Sequence, residues 1–304
     1  MEQRILGRTG LSVSRLGLGT MGWGRTVGPD EAGAQLDAFL DAGGTLVDTA
    51  AVYSGGEAER VLGSLLADGR REQVVLATKC GKSARSREDT SRRGMLLDLD
   101  GSLERLGVDH VDLWQVHTWG EAPLPETLET LAYAQTSGRA RYVGISNYTG
   151  WQTATAAATS PVALASTQVE WSLLRRDVEL EVLPAAAHHG LGVLAWSPLA
   201  GGVLTGKYAG GVPRDSRGAQ ERSRATVETY LDERSARIVD AVVTAADGLG
   251  SSPLAVALAW VRDRPQLSSA IIGARTAAQL LAALESEQLD LPAEIVAALD
   301  DVSA

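Results

Sequence analysis

Eight short apolar runs recur along the chain, each followed by a longer helical pattern, and most start about 30 residues after the previous one. The runs are Leu16–Thr20, Thr45–Ala50, Val74–Lys79, Val111–His117, Ala140–Asn147, Leu164–Glu170, Gly192–Ser197 and Ser269–Gly273. Helical patterns at Asp30–Ala42, Glu57–Ala67, Met95–Leu106, Glu126–Ser137, Trp151–Ala158 and Val178–His188 lie between them, with a further pair before the last run. Pro29-Asp30-Glu31 and Leu124-Pro125-Glu126 read as helix starts, and Gly43-Gly44, Gly107 and Gly190 as stops. Strands alternating with amphipathic helices make a parallel sheet covered by helices, and eight such units close into a (β/α)8 TIM barrel. Arg4–Val13 reads as a hairpin ahead of the barrel, turning at Thr9-Gly10. The expected fold is therefore α/β: one barrel domain over residues 1–304, with an N-terminal β-hairpin and a long loop after the seventh strand.

That loop, Leu199 to Tyr230, combines many glycines with many charges and is expected to be irregular and mobile until a ligand closes it. Lys207, Arg214 and Arg217 are the cations it could gather on an anion. Gly17-Leu18-Gly19-Thr20-Met21-Gly22 matches a dinucleotide fingerprint literally, but no helix follows at once to receive a pyrophosphate. It reads instead as a turn at the end of the first barrel strand.

Composition narrows the partners. The net charge of −10 argues against nucleic acid, whose phosphates an anionic surface repels. Cys80 is the single cysteine, so no intrachain disulfide can form. No apolar stretch approaches the roughly 18 residues of a membrane span, and Met1-Glu2-Gln3-Arg4 leads into polar residues with no apolar core of a leader. A cytoplasmic protein acting on a small molecule is expected, with no metal and an oligomeric state left open.

In a barrel of this kind the active site lies at the C-terminal ends of the strands. Those ends carry Asp48, Lys79, His117, Ser146, Asn147, Gln168, Trp196 and Ser197, with Tyr53 in the loop after the second strand and Arg275 after the eighth. Singly, each has an ordinary reading as a cap, a solvated charge or a packed ring. Together they suit proton transfer: a lysine beside a tyrosine stabilises the phenolate, an aspartate keeps the lysine charged, and a histidine can hydrogen-bond a carbonyl oxygen.

The segments Gly44–Tyr53, Ala77-Thr78-Lys79, Asp112–His117, Gly144–Asn147, Gln168-Val169-Glu170, Trp196-Ser197-Pro198-Leu199, Leu204–Tyr208 and Ile271–Thr276 resemble the aldo-keto reductase superfamily, in order and over nearly the whole chain. The Trp-Ser-Pro-Leu and Gly-Ala-Arg-Thr variants resemble its bacterial branch that is similar to the potassium-channel β-subunits. The resemblance implies an oxidoreductase that reduces an aldehyde or ketone with NADPH, with Tyr53 as general acid, Lys79 lowering its pKa, Asp48 paired to Lys79 and His117 orienting the carbonyl. It further implies an NADPH/NADP+ site. Gly19, Thr20 and Met21 would line the nicotinamide ribose, Ser146, Asn147 and Gln168 the carboxamide, and Trp196 the ring. Ser197, Leu199 and Lys207 would meet the pyrophosphate, and Gly273, Arg275 and Gln279 the 2′-phosphate. Ala282 and Ala283 stand where adenine contacts are common in the family. Trp23 and Trp119, just after the first and fourth strands, are expected to wall the substrate pocket, whereas Trp114, Trp151, Trp171 and Trp260 read as packing or helix-surface residues. The alternatives are a keto-sugar reductase, a non-catalytic NADP-sensing subunit and a Schiff-base enzyme using Lys79.

Overall fold

The computed structural model of the chain describes residues 1–67, 69–83 and 88–304. Strands β1 (Gln3–Ile5) and β2 (Ser12–Ser14) pair antiparallel as a hairpin. Strands β3 (Leu16–Gly19), β4 (Leu46–Asp48), β5 (Val75–Cys80), β6 (Val111–Val116), β7 (Ala140–Ser146), β8 (Leu164–Glu170), β9 (Gly192–Trp196) and β10 (Leu267–Ile272) close in that order into a parallel barrel, β10 pairing back onto β3. Around it lie α1 (Pro29–Asp41), α2 (Glu57–Leu66), α3 (Arg92–Leu106), α4 (Leu124–Thr136), α5 (Gly150–Thr159) and α6 (Val182–His189). After β9 come α7 (Glu221–Glu228), α8 (Glu233–Leu249) and α9 (Pro253–Arg262), and after β10 come α10 (Ala277–Leu284) and α11 (Ala293–Ser303). This is the (β/α)8 barrel that the spacing implies.

The hairpin closes one end of the cylinder. Leu6 and Val13 are fully buried and pack with Leu46, Ala77, Leu113, Ala165, Leu194 and Ile271. A second, larger core lies between the strands and the helices. The other end, where the strands finish, is left for chemistry.

Two expectations shift. The helix expected over Val178–His188 splits into a 3-10 turn at Asp177–Glu179 and α6, because Pro184 has no N–H to bond back and so sits in the first turn of a restarted helix. Helix α3 begins at Arg92, not Met95, because the Ser91 hydroxyl caps it by accepting from the Gly94 N–H at 3.2 Å. Among the described residues no single helix is long and apolar enough to cross a membrane.

Asp98 of α3 is nearly buried and accepts from the Gly81 N–H at 2.9 Å. Burial raises its carboxyl to about 6, against the help of that hydrogen bond and of Arg105. A carboxyl raised on folding favours the fold most below its unfolded value, and that contribution is lost as pH rises through about 6. Asp98→Asn keeps an acceptor for Gly81 without the charge. It is expected to add about 1–2 kcal/mol of stability at pH 8, after discounting for partial hydration, and almost nothing at pH 4. Urea unfolding at the two pH values checks this.

Candidate active site

Asp48 ends β4, Lys79 lies one residue from the end of β5, and His117 follows β6 directly. Tyr53 opens a 3-10 turn, Tyr53–Gly56, between β4 and α2. Parallel register places these ends side by side, with Asp48 level with Ala77 and Lys79 level with Gln115. The Lys79 side chain is 1% exposed, and its Nζ donates to Asp48 Oδ2 at 2.6 Å, to the Thr49 carbonyl at 2.9 Å and to the Tyr53 hydroxyl at 3.3 Å. The second carboxylate oxygen of Asp48 accepts from Gln168 Nε2 at 2.9 Å. The Tyr53 and His117 rings meet edge-on at 5.9 Å. The four residues singled out for proton transfer are thus neighbours.

Their electrostatics differ from the expectation at one point. Burial pushes the Tyr53 phenol above its ordinary value, and Asp48 adds to that; Lys79 pulls it down but does not win. Burial also works against the Lys79 charge, yet Asp48 and Tyr53 outweigh it and hold the ammonium above its ordinary value. Burial, then Lys79 and Lys82, drive His117 down to about 3, so its imidazole is neutral. His117 Nδ1 is buried with no hydrogen-bond partner among the described residues.

The expected amide positions form a linked rim. Ser146 Oγ donates to the Gln168 carbonyl at 2.8 Å. Asn147, held at φ +59°, donates from Nδ2 to the His117 carbonyl at 2.9 Å and accepts from Trp196 Nε1 at 2.9 Å. Thr20 is buried with its hydroxyl on the Asp48 carbonyl, whereas Met21 is exposed. No helix follows Gly19 until Pro29, so the glycine fingerprint is a turn. Left-handed backbone recurs along the mouth at Ser54, Asn147, Ser197 and Ala200, the kind of strain that gathers at functional sites.

Beside this rim lies a cluster of cations. Ser197 Oγ accepts from the Gly201 N–H at 3.3 Å, and the Leu199 carbonyl accepts from Gly202 at 2.9 Å. The turn they shape runs under Lys207, whose Nζ would lie 2.7 Å from a Cβ at Gly202. Arg217 reaches to Gly273, where a Cβ would stand 3.4 Å from Nη2 and 3.8 Å from the Gly19 carbonyl. Among the described residues Arg275 pairs with the exposed Asp215, at 3.8 Å, and its backbone N–H is held by Gln279 Oε1 at 3.0 Å. Burial and the neighbouring guanidinium of Arg275 lower both Lys207 and Arg217, with Arg217 also acting on Lys207. Three crowded cations facing one solvated carboxylate fit a polyanion such as a dinucleotide phosphate. Ala283 is buried, and its methyl side chain carries no hydrogen-bonding group.

One expectation is corrected. Trp23 is 1% exposed and donates to Gln35 Oε1 at 3.1 Å, so it belongs to the core and not to a pocket wall. Arg214 lines an outer cavity with Arg224 and Glu228. The segment from Leu199 to Tyr230 is a long loop in part: it holds 3-10 turns at Ala200–Thr205 and Arg217–Ala219, then α7, with only turns and bends over residues 206–216. Tyr208, Val227 and Tyr230 are buried anchors in it, and the Tyr230 hydroxyl donates to Glu170. Trp119 stacks edge-on with Tyr148 at 5.0 Å and with Trp151 at 5.2 Å. Trp151 is a neighbour the sequence reading missed; the turn Tyr148-Thr149-Gly150 that leads from the strand end into its helix was the available signal.

The model of the aldo/keto reductase family matches residues 15–304. The chain is 38% identical to "Uncharacterized oxidoreductase YrpG" of Bacillus subtilis, over 99% of this chain and 96% of that one. It is 36% identical to a "Probable voltage-gated potassium channel subunit beta" of Oryza sativa subsp. japonica, over 92% of this chain and 89% of that one. It is 32% identical to "Protein tas" of Escherichia coli, over 99% and 97%.

Proposed function

The chain belongs to the aldo/keto reductase family and is an oxidoreductase; from that premise we propose that it reduces an aldehyde or ketone to the alcohol with NADPH, using Tyr53 as the general acid. The observation that carries the reading is the buried chain from Asp48 through Lys79 to the Tyr53 hydroxyl, at 2.6 and 3.3 Å. When bound, the nicotinamide supplies the hydride. The chain's own residues do the rest. Tyr53 gives its proton to the carbonyl oxygen, and Lys79 stabilises the phenolate left behind. Neutral His117 orients that oxygen, and Asp48, gripped by Gln168, fixes the lysine. Lys207, Arg217 and Arg275 would hold the phosphates, Gly273 would let one approach closely, and Ser146, Asn147, Gln168 and Trp196 would meet the nicotinamide.

A panel of aldehydes, ketones and keto sugars, with NADPH oxidation followed by absorbance, tests the reading. Turnover of carbonyls generally supports it, turnover confined to keto sugars narrows it, and cofactor binding with no turnover at all favours a sensing subunit. Preference for NADPH over NADH is expected to rest on Arg275. A charge-assisted contact to the 2′-phosphate is worth about 1.5–3 kcal/mol, so Arg275→Ala should remove about tenfold or more of the discrimination. Fluorescence titration with both cofactors measures it. Equal losses for the two would assign Arg275 to the loop and not to the phosphate.

A further inference from the structure

The turn that carries Tyr53 has an unusual backbone. Ser54, Gly55 and Gly56 follow one another at φ +51°, +69° and +92°, a run of left-handed residues with two glycines free to leave it. Its backbone hydrogen bonds include Tyr53 N–H to the Ala50 carbonyl, Gly55 N–H to the Val52 carbonyl and Glu57 N–H to the Tyr53 and Ser54 carbonyls. The contact that matters, Tyr53 to Lys79 at 3.3 Å, is the longest of the three made by that ammonium. It joins the turn to β5, so its length depends on how those two elements are held against each other.

Directly behind it lies a buried ion pair that the proposed chemistry does not use. Glu59, the third residue of α2, is fully buried. Its Oε2 accepts from Arg105 Nε at 2.8 Å and lies 2.7 Å from Arg105 Nη2. Its Oε1 accepts from the Thr78 hydroxyl at 2.6 Å. Thr78 precedes Lys79 on β5, and side chains alternate across a strand, so Thr78 faces the helices while Lys79 faces the mouth. Arg105 in turn backs the turn itself: a Cβ at Gly56 would stand 2.9 Å from its Cδ. One carboxylate therefore ties together the strand of the lysine, the helix that follows the tyrosine turn, and the guanidinium on which that turn rests. Stability alone does not call for charges here, because apolar residues of similar volume often serve a buried site as well or better.

We infer that Glu59, Arg105 and Thr78 are positioning residues that set the separation of the Tyr53 hydroxyl from the Lys79 ammonium. The inference rests on the acid role proposed for Tyr53. The test compares Thr78→Val, Glu59→Gln and Thr78→Ser, each in the wild-type and in the Tyr53→Phe background. Carbonyl reduction is measured per titrated NADPH-binding site, together with the carbonyl KM and the NADPH Kd. Misplacement by about 1 Å can cost about 100-fold, so Thr78→Val and Glu59→Gln are expected to lower kcat at least about tenfold with KM and Kd unchanged. Thr78→Ser keeps the hydroxyl and should keep the rate. In the Tyr53→Phe background the same substitutions should change the residual rate by less than about twofold, because residues acting through one group are not additive. Equal losses in both backgrounds, or full kcat in Thr78→Val, would overturn the inference. If Glu59→Gln does not fold, Thr78→Val decides alone. A wild-type protein that turns over no carbonyl is a different result, and it removes the proposed function first.

Discussion

Tyr53→Phe is expected to lower carbonyl reduction by about 10²–10⁴-fold while leaving NADPH affinity intact. Only the phenolic oxygen is removed, and the ring keeps its edge contact with His117. The residues proposed to hold the cofactor lie on other strands and on the segment after β9. The pH profile is part of the same expectation. Tyr53 is held above its ordinary value by burial, and His117 is driven down to about 3, so neither changes charge between about pH 5 and 9. Reduction by the wild type should be nearly flat across that range. Alcohol oxidation, which needs the phenolate as base, should rise with pH through it. A Phe variant that kept more than about a tenth of wild-type turnover in a chemistry-limited assay would take the acid role away from Tyr53.

Lys79→Met should damage both rate and stability. Methionine matches the stem of the lysine but donates nothing, so Asp48 keeps only the Gln168 amide against its buried charge. Removing one partner of a buried pair costs about 3–5 kcal/mol, and the denaturant midpoint should fall accordingly. The phenolate would lose its cation at the same time, so reduction should fall about 10²-fold or more. Adding Asp48→Asn to the same chain removes the stranded charge. It should return much of the stability and none of the rate. Recovery of both together would mean that Lys79 serves the fold and not the reaction.

The barrel was legible because its signal is periodic. Short apolar runs spaced by amphipathic helices leave few arrangements, and the strand ends then gather Asp48, Lys79 and His117 without further information. Tyr53 was legible through the family resemblance of the segment around it. What the sequence could not show was burial and mutual distance. Trp23 looked like a wall because it follows a strand, but a side chain between turn and helix found Gln35 instead. The Tyr53 phenol was expected to be lowered by its lysine; the competing desolvation depends on how deeply the ring is covered, which no spacing encodes. The segment after β9 keeps its turns over residues 206–216, but its spaced aromatics, Tyr208 and Tyr230, are buried against Gly218 and Glu170, partners that no local pattern names. Glu59, Thr78 and Arg105 come from three separate elements and show their relation only once those elements pack.

The bond between Gln168 and Asp48 has a mechanical meaning. In a ring of eight strands, β4 and β8 are four places apart, at opposite poles of the cylinder. An unbraced tube resists changes in circumference, because those break strand pairing, but ovalises easily, because flattening needs only small changes of angle between neighbours. A hydrogen bond of 2.9 Å across the full width opposes that flattening in one direction. The aspartate that anchors the lysine is thereby also one end of a diameter, and one carboxylate links the span of the mouth to the seat of the ammonium. Changes to the helical shell away from Glu59 and Arg105 should therefore leave that span largely untouched.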